Sequence, residues 1–319
     1  GEIQLQRNLS QHRVMTSLVF INQMIVIYFG AFIIIVGVFG TVMQAFILMA
    51  ARYYRKTPST FYFIVASIHE CGIFIAAYLP LVLSVSVLTS RTEVFALWCK
   101  LRYFFAISCS AISSSCGCMA AIDQFLITSQ NARIRQLSSI KNAYRACFSF
   151  AIIWWLHGTL WIYYQEMSPI THSCAYPSDT FFIYAVFFMC IILCGAPCLI
   201  MVVFGLLANR NIKKTTCLSR LHIDRQLMIV VFIQVLLTLI GLTPYTGYSA
   251  YKTITFYFQK TADQRLMDTL VGNITYMFCS VAYGGRFYIF LYSSSRFRRM
   301  VKDRVLSWRR ARQIIPLTR

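Results

Sequence analysis

Long apolar runs alternate with short polar segments along nearly the whole chain. Seven of these runs are each long enough for one membrane-crossing helix, which needs roughly 20 residues. They cover residues 14–51, 58–88, 98–125, 146–164, 180–208, 226–251 and 269–292. The pattern predicts an all-α integral membrane protein, a bundle of seven transmembrane helices.

The polar segments differ in charge, and the difference predicts an orientation. Basic residues cluster after the first, third, fifth and seventh runs, whereas the intervening loops mix both signs. Loops rich in Lys and Arg stay on the cytoplasmic side of a membrane. We therefore expect a multi-pass protein of the plasma membrane with its N-terminus outside the cell.

This orientation divides the chain into three parts. We predict an extracellular segment at 1–23, a seven-transmembrane domain at 24–292 and a cytoplasmic amphipathic helix with a basic tail at 293–319. The tail mixes cations with large apolar side chains, as a helix lying in the inner membrane interface does. The chain begins with Gly rather than Met, so we leave open that it is a fragment.

Composition and charge narrow the class of protein. Of the 319 residues, 58% are hydrophobic and only 13% are charged, whereas a soluble domain carries about 25% charged residues. The net charge of +20 comes from clusters between apolar runs, which indicates contacts with lipid headgroups. We therefore expect membrane lipids, and no nucleic acid, as partners.

The twelve cysteines do not indicate a metal site. Most lie inside apolar runs, and Cys116 and Cys118, two residues apart, point to different sides of a helix. No set of nucleophile, base and orienting residue is evident either. We expect no enzyme activity, no cofactor and no bound metal.

A set of spaced residues resembles the rhodopsin-like family of G-protein-coupled receptors. Cys99 opens the third run, Asp123 closes it, and Cys174 follows the fourth, matching the family's bridging cysteine pair and the acid of its Asp-Arg-Tyr motif. Further matches are the Thr57-Pro58 entry to the second run, Glu70 in place of the usual Asp, a tryptophan in the fourth run, Pro197, Pro244 and Phe297-Arg298. The resemblance covers roughly residues 30 to 305 and implies a seven-helix receptor.

The chain also departs from the family at its activation motifs. Thr41 replaces an Asn, Leu242 replaces a Trp, and Asp-Arg-Tyr becomes Asp123-Gln124-Phe125. The family's Asn-Pro-x-x-Tyr becomes Arg286 to Phe290. Together with residues 293–298, this segment resembles divergent invertebrate neuropeptide receptors, including FMRFamide-receptor-like ones. The resemblance thus implies the fold more directly than it implies G-protein coupling.

The resemblance assigns roles to individual positions. It implies a disulfide between Cys99 and Cys174, although two free cysteines near the surface are the alternative. An extracellular N-terminus would make Asn8, in Asn8-Leu9-Ser10, a glycosylation acceptor. The positions that match the family's conformational switch are Glu70, Ser113, Asp123, Gln124, Pro244, Arg286 and Phe290.

Glu70 and Arg286 are the charged residues farthest inside apolar runs. A lone charge at mid-membrane costs at least ~2.5 kcal/mol, and the matching family positions face each other and help to hold a sodium ion. One hypothesis is that Arg286 pairs with Glu70 and makes sodium unnecessary. The alternatives are that Arg286 reaches the inner headgroups or pairs with Asp123. Asp123 itself is either a solvated cap or a partner of Arg133 or Arg135.

The outer ends of the runs indicate which ligands to expect. Ala106 stands where amine receptors of the family carry Asp, and the seventh run lacks the Lys that binds retinal. The residues expected at the outer ligand site are Arg102, Tyr103, Glu166, Tyr245, Tyr248, Tyr251, Asp268 and Tyr276. An aromatic cavity with acids at its rim suits a peptide carrying Arg and Phe. The alternative for each tyrosine is a place in the interfacial aromatic belt.

The expected function is that of a receptor that binds an extracellular ligand of peptide type and signals through a heterotrimeric G protein. Two rivals stand beside it. Gln124, Leu242, Arg286 and Phe287 favour a receptor-fold protein with lost or atypical coupling. An ion or solute transporter is the other, but the halves of the chain show no convincing internal repeat.

Overall fold

The structure is a computed structural model that describes residues 16–50, 57–86, 92–167, 174–175, 178–214, 218–255, 257–293 and 297–304. The predicted glycosylation acceptor Asn8 lies outside the described residues, as does the end of the basic tail. The helices are α1 (Thr16–Ala50), α2 (Pro58–Ile73, continuing through Phe74–Tyr78 and Leu79–Ser86), α3 (Thr92–Thr128), α4 (Ala132–Gln136), α5 (Ile140–Tyr164), α6 (Asp179–Lys214), α7 (Leu218–Ile254), α8 (Ala262–Phe278), α9 (Ser280–Ser293) and α10 (297–304).

Five of the helices are long and apolar enough to cross a membrane. They are Thr16–Ala50, Pro58–Leu83, Leu97–Thr128, Ile140–Tyr164 and Asp179–Lys214, and they correspond to the first five predicted runs. The sixth and seventh runs are also helical, as α7 and as α8 with α9, but in the described residues they are not among these five. The seventh run is interrupted by a turn at Cys279, which separates α8, of 17 residues and beginning before the run, from α9, of 14 residues. The architecture is helical and consistent with a membrane protein.

The helices form a closed bundle around α3. Helix α3 packs against α2, α5 and α6, and the outer contacts run from α6 to α7, from α7 to α9, from α9 to α1 and from α1 to α2. Side chains on α3 therefore face several other helices at once. This arrangement places polar residues of α3 where they can meet partners from across the bundle.

Two glycines allow α1, α2 and α9 to meet closely. The ring of Phe74 on α2 is fully buried, and a Cβ atom on Gly37 of α1 would lie 2.3 Å from its Cζ atom. A Cβ atom on Gly284 of α9 would lie 3.0 Å from the same atom. Any side chain at Gly37 would have to displace this ring, so the close junction depends on glycine.

The all-α prediction missed one short hairpin. Strands β1 (Glu166–Met167) and β2 (Cys174–Ala175) follow α5 and pair antiparallel, with Glu166 opposite Ala175. Strands of two residues carry no detectable alternation of polar and apolar positions, so the sequence pattern could not reveal them.

Helix α10 packs back onto the bundle. Phe297 is buried, and its ring centre lies 5.9 Å from that of Phe287 and 5.3 Å from that of Phe290. Arg304 donates a hydrogen bond of 3.0 Å to the carbonyl of Ala50 at the end of α1. Of the predicted amphipathic segment at 293–319, the part from 297 to 304 is therefore a helix that closes one end of the bundle.

Candidate functional site

A disulfide ties the hairpin to the central helix. The sulfur atoms of Cys99 on α3 and Cys174 on β2 lie 2.02 Å apart, so the structure forms the pairing that the resemblance implied. Cys99 is buried. The bond fixes the loop after α5 against the start of the membrane-crossing part of α3.

Near this end of the bundle lies an aromatic cavity. Its empty space, counted up to its open mouth, is about 620 Å³. The lining comes from α2, α3, α6, α7, α8 and α9 and includes the turn residue Cys279. The lining residues are Ile73, Ala77, Tyr78, Tyr103, Ala106, Ile107, Ser110, Met189, Leu193, Leu242, Tyr245, Thr246, Tyr276, Cys279 and Tyr283.

Four residues of the predicted ligand site meet at this cavity. Tyr103, Tyr245 and Tyr276 line it. The Arg102 guanidinium lies close to Tyr276, and its carbon atom lies 5.6 Å from the ring centre of Tyr103. Tyr78, missed by sequence analysis, stacks on Tyr276 with 5.0 Å between ring centres.

The other predicted ligand residues lie elsewhere. Glu166 is exposed on the hairpin and is not among the lining residues. Asp268 lies 2.6 Å from the ammonium of Lys260, which also sits 4.7 Å from the ring centre of Tyr251. Tyr248 packs against Gly272 instead of the cavity. The acidic rim that we predicted for the cavity is therefore not formed by Glu166 and Asp268.

The hydrogen bond to Asp268 changes the titration of Lys260, which lies outside the spans. It raises the pKa of the Lys260 ammonium above its ordinary value, because the carboxylate stabilises the charged form. Lys260, Tyr251 and Asp268 thus form a separate, part-buried cluster at the connection between α7 and α8.

At mid-bundle, two charged side chains form a buried ion pair. The Nη2 atom of Arg286 lies 2.9 Å from the Oε1 atom of Glu70, and these side chains are 5% and 0% exposed. Ser113 on α3 donates a hydrogen bond of 2.7 Å to the same carboxylate oxygen. The sequence left three alternatives open for Arg286: Glu70, Asp123 or the inner headgroups. In the structure Arg286 pairs with Glu70.

Gln234 on α7 completes this cluster. With its amide oriented to satisfy its neighbours, the side-chain oxygen accepts hydrogen bonds from Arg286 at 2.7 Å to Nη2 and 3.3 Å to Nε. The cluster of Glu70, Ser113, Gln234 and Arg286 therefore links α2, α3, α7 and α9, and we call it the central cluster. Sequence analysis missed Gln234, although it is a buried amide in the middle of an apolar run.

A second buried carboxylate, that of Asp123, lies near the C-terminal end of α3. Ser59 on α2 donates a hydrogen bond to its Oδ2 atom, and Ser138 donates one of 2.6 Å to Oδ1. Gln124 in turn donates a hydrogen bond of 2.8 Å to Ser59. We call these four residues the inner cluster.

Both sequence-based interpretations of Asp123 are wrong. Asp123 is 3% exposed, so it is not a solvated cap, while Arg133 and Arg135 on α4 are exposed and form no ion pair with it. Its partners are serines, which sequence analysis did not single out.

The remaining predicted switch residues, Phe290 and Pro244, and the two altered motif positions, Leu242 and Thr41, lie outside both clusters. Phe290 is buried against Phe63, with 5.4 Å between ring centres. Pro244 lies inside α7, and Leu242 is one of the residues that line the aromatic cavity. Thr41 donates its hydroxyl to the carbonyl of Gly37 in its own helix at 2.9 Å, so it does not join the central cluster.

No protein-family model matches the chain, and no curated protein sequence matches it.

Proposed function

We propose that the protein is a plasma-membrane receptor of seven transmembrane helices, with α7 and the pair α8 and α9 as the sixth and seventh spans. The N-terminus and the aromatic cavity face the outside, and the basic loops, the inner cluster and α10 face the cytoplasm. The positive-inside distribution of Lys and Arg supports this orientation.

The observation that carries the proposal is the central cluster beneath the cavity. A bundle held only by apolar packing has no need of an ion pair at mid-membrane, where charged residues are costly and mark functional positions. Here one such pair and two hydrogen-bonding side chains connect four helices. A ligand that shifts α7 or α9 at the cavity necessarily acts on the positions of Arg286 and Gln234.

The mechanism that we propose is a population shift. The ligand binds more tightly to a helix arrangement that is rare without it, and so increases the population of that arrangement. Because α3, α7 and α9 reach both the cavity and the central cluster, a change at one is transmitted to the other through rigid helices. The cytoplasmic partner would be a heterotrimeric G protein, as the resemblance of the landmark residues implies, and the ligand a peptide.

A second candidate, a receptor that no longer couples to G proteins, is favoured by one observation. Gln124 stands where the family's Arg follows the acid, and its amide nitrogen donates to Ser59 within the bundle. Such a protein would bind its ligand and change shape without catalysing nucleotide exchange.

Ligand-stimulated nucleotide exchange separates the two. The full chain, in cell membranes, is assayed with a panel of G proteins against amidated neuropeptides, with Gln124→Arg alongside. A response of the unmodified protein establishes a coupled peptide receptor. Silence that Gln124→Arg converts into signalling establishes lost coupling, and silence of both removes the support for either and directs attention to flux assays.

A further inference from the structure

The aromatic cavity has a positive charge next to its lining and no negative one among its lining residues. None of the lining residues is charged. Arg102 lies close to Tyr276 and Tyr103, and both tyrosines line the cavity. The half-buried Arg102 is therefore adjacent to the cavity wall, although it is not itself a lining residue.

No described carboxylate neutralises Arg102. The chain has ten acidic residues, and the side chains of Glu2, Glu93 and Asp224 are outside the described part. Among the others, the ion pairs within 4.0 Å are Arg286 with Glu70 and Lys260 with Asp268. Arg102 is thus a cation whose described neighbours are tyrosines.

Arg102 and the tyrosines beside it have the chemistry to bind one kind of ligand group, a carboxylate. A guanidinium has five N–H donors in a planar fork and binds a carboxylate through two parallel hydrogen bonds. Tyrosine hydroxyls can donate further hydrogen bonds to the same group, and their rings accept an apolar or aromatic body. A cationic ligand group would instead be repelled by Arg102.

We propose that the cavity binds a carboxylate ligand whose charge is taken by Arg102 and whose apolar or aromatic body lies among Tyr78, Tyr103, Tyr245 and Tyr276. The inference rests on the proposed function, because it requires the cavity to face the outside, and it narrows the ligand class. Two sources share this chemistry: the free C-terminus of a peptide that ends in an aromatic residue, and a free aromatic acid. This proposal replaces the expectation that the ligand carries Arg. An Arg of the ligand would need acidic partners, and the described lining of the cavity contains none.

Matched acids and amides test the proposal. The full chain is purified in lipid nanodiscs, and its unfolding temperature is followed against ligand concentration. One pair of probes is a tetrapeptide ending in Leu-Phe with a free C-terminus and its C-terminal amide; the other is 3-phenylpropanoate and 3-phenylpropanamide. We expect at least one acid to bind about tenfold or more tightly than its amide, and the responding pair identifies the source. The proposal is overturned if neither acid is preferred.

Two variants assign the preference to the correct charge. Arg102→Gln should abolish the preference for acid over amide, whereas Arg102→Lys should retain part of it. Lys100→Gln removes the same charge two positions away on α3, on a different side of the helix, and should leave the preference intact. Equal losses in Arg102→Gln and Lys100→Gln would mean general surface attraction and would refute the site. Unfolding temperatures without ligand show whether each variant is folded.

The binding assay contains no G protein, so its outcome is independent of coupling. A protein that prefers acids but is silent in nucleotide exchange contradicts the coupling and leaves the carboxylate site in place. Exchange that is stimulated only by amidated, cationic peptides contradicts the carboxylate site and leaves the receptor in place.

Discussion

Glu70 and Asp123 are both buried carboxylates between α2 and α3, but their surroundings differ in charge. Glu70 lies 2.9 Å from a guanidinium and accepts one serine hydrogen bond. Asp123 accepts hydrogen bonds from two serines and has no cation among its described partners. One acid thus belongs to an ion pair that joins distant helices, and the other to a neutral network near one end of α3.

The two acids differ in where the nearest cation stands. An uncharged residue, Gln124, directly follows Asp123 in the chain, whereas Arg286 lies beside Glu70. The positive charge is therefore beside Glu70 at mid-bundle and absent beside Asp123. We infer that electrostatic coupling between helices is concentrated at the central cluster, while hydroxyl and amide groups hold the inner cluster.

The largest expected effect follows from Glu70→Gln. This change leaves the buried Arg286 guanidinium without its carboxylate, and stranding one partner of a buried pair costs about 3–5 kcal/mol. Unfolding of the purified protein in detergent measures the loss. Glu166→Gln, an exposed acid on the hairpin, is the matched control and should be close to neutral; a loss below about 1 kcal/mol for Glu70→Gln would count against the ion pair.

Asp123→Asn is the same chemical change at the other carboxylate, and it should cost less. The partners are neutral hydroxyls, which can reorient to donate to the amide oxygen and accept from the amide nitrogen, so we expect a loss of about 1–2 kcal/mol. The same unfolding assay gives the value. If Asp123→Asn is as damaging as Glu70→Gln, the inner cluster holds a charge partner and the proposed difference between the acids disappears.

The smallest effect is expected at the part-buried pair of Lys260 and Asp268. Lys260→Gln should cost about 0.2–1 kcal/mol, because ion pairs that keep contact with solvent contribute little. The pKa of Lys260 is raised in the folded protein, so its contribution is complete below the unfolded pKa of about 10.4 and is lost as the pH rises through the folded pKa. Unfolding temperatures at pH 7 and above pH 10 should therefore differ less for Lys260→Gln than for the unmodified protein.

The sequence predicted some parts of this architecture because their signals are strong. Five apolar runs correspond to helices long enough to span a membrane, and Glu70 and Arg286 were conspicuous because a charge inside an apolar run is costly. Gln234 and Ser59 were missed because neutral polar side chains are common on such helices and give no periodic signal. Ser138 was missed because it lies in the connection between α4 and α5. Their roles depend on which helix faces which, and that is a property of packing.

The predicted ligand site was only partly correct for a related reason. Tyr251 and Asp268 were grouped with Tyr276 because all lie near the outer ends of runs, but position along a helix does not fix the face that a residue occupies. Asp268 is bound by Lys260 across the connection between α7 and α8. A loop that brings the two together could not be inferred from spacing alone.

The measurement that tests the account most directly is a double-mutant cycle with Glu70→Gln and Arg286→Gln, read out as unfolding free energy and surface expression. Each single variant leaves one buried charge without its partner, whereas the double variant replaces the pair by two amides that can bond to each other. We predict that both single variants are strongly impaired and that the double variant recovers by about 2 kcal/mol or more relative to the sum of the single losses. A double variant whose loss equals that sum would show that the two residues are not energetically coupled, and it would contradict the central ion pair.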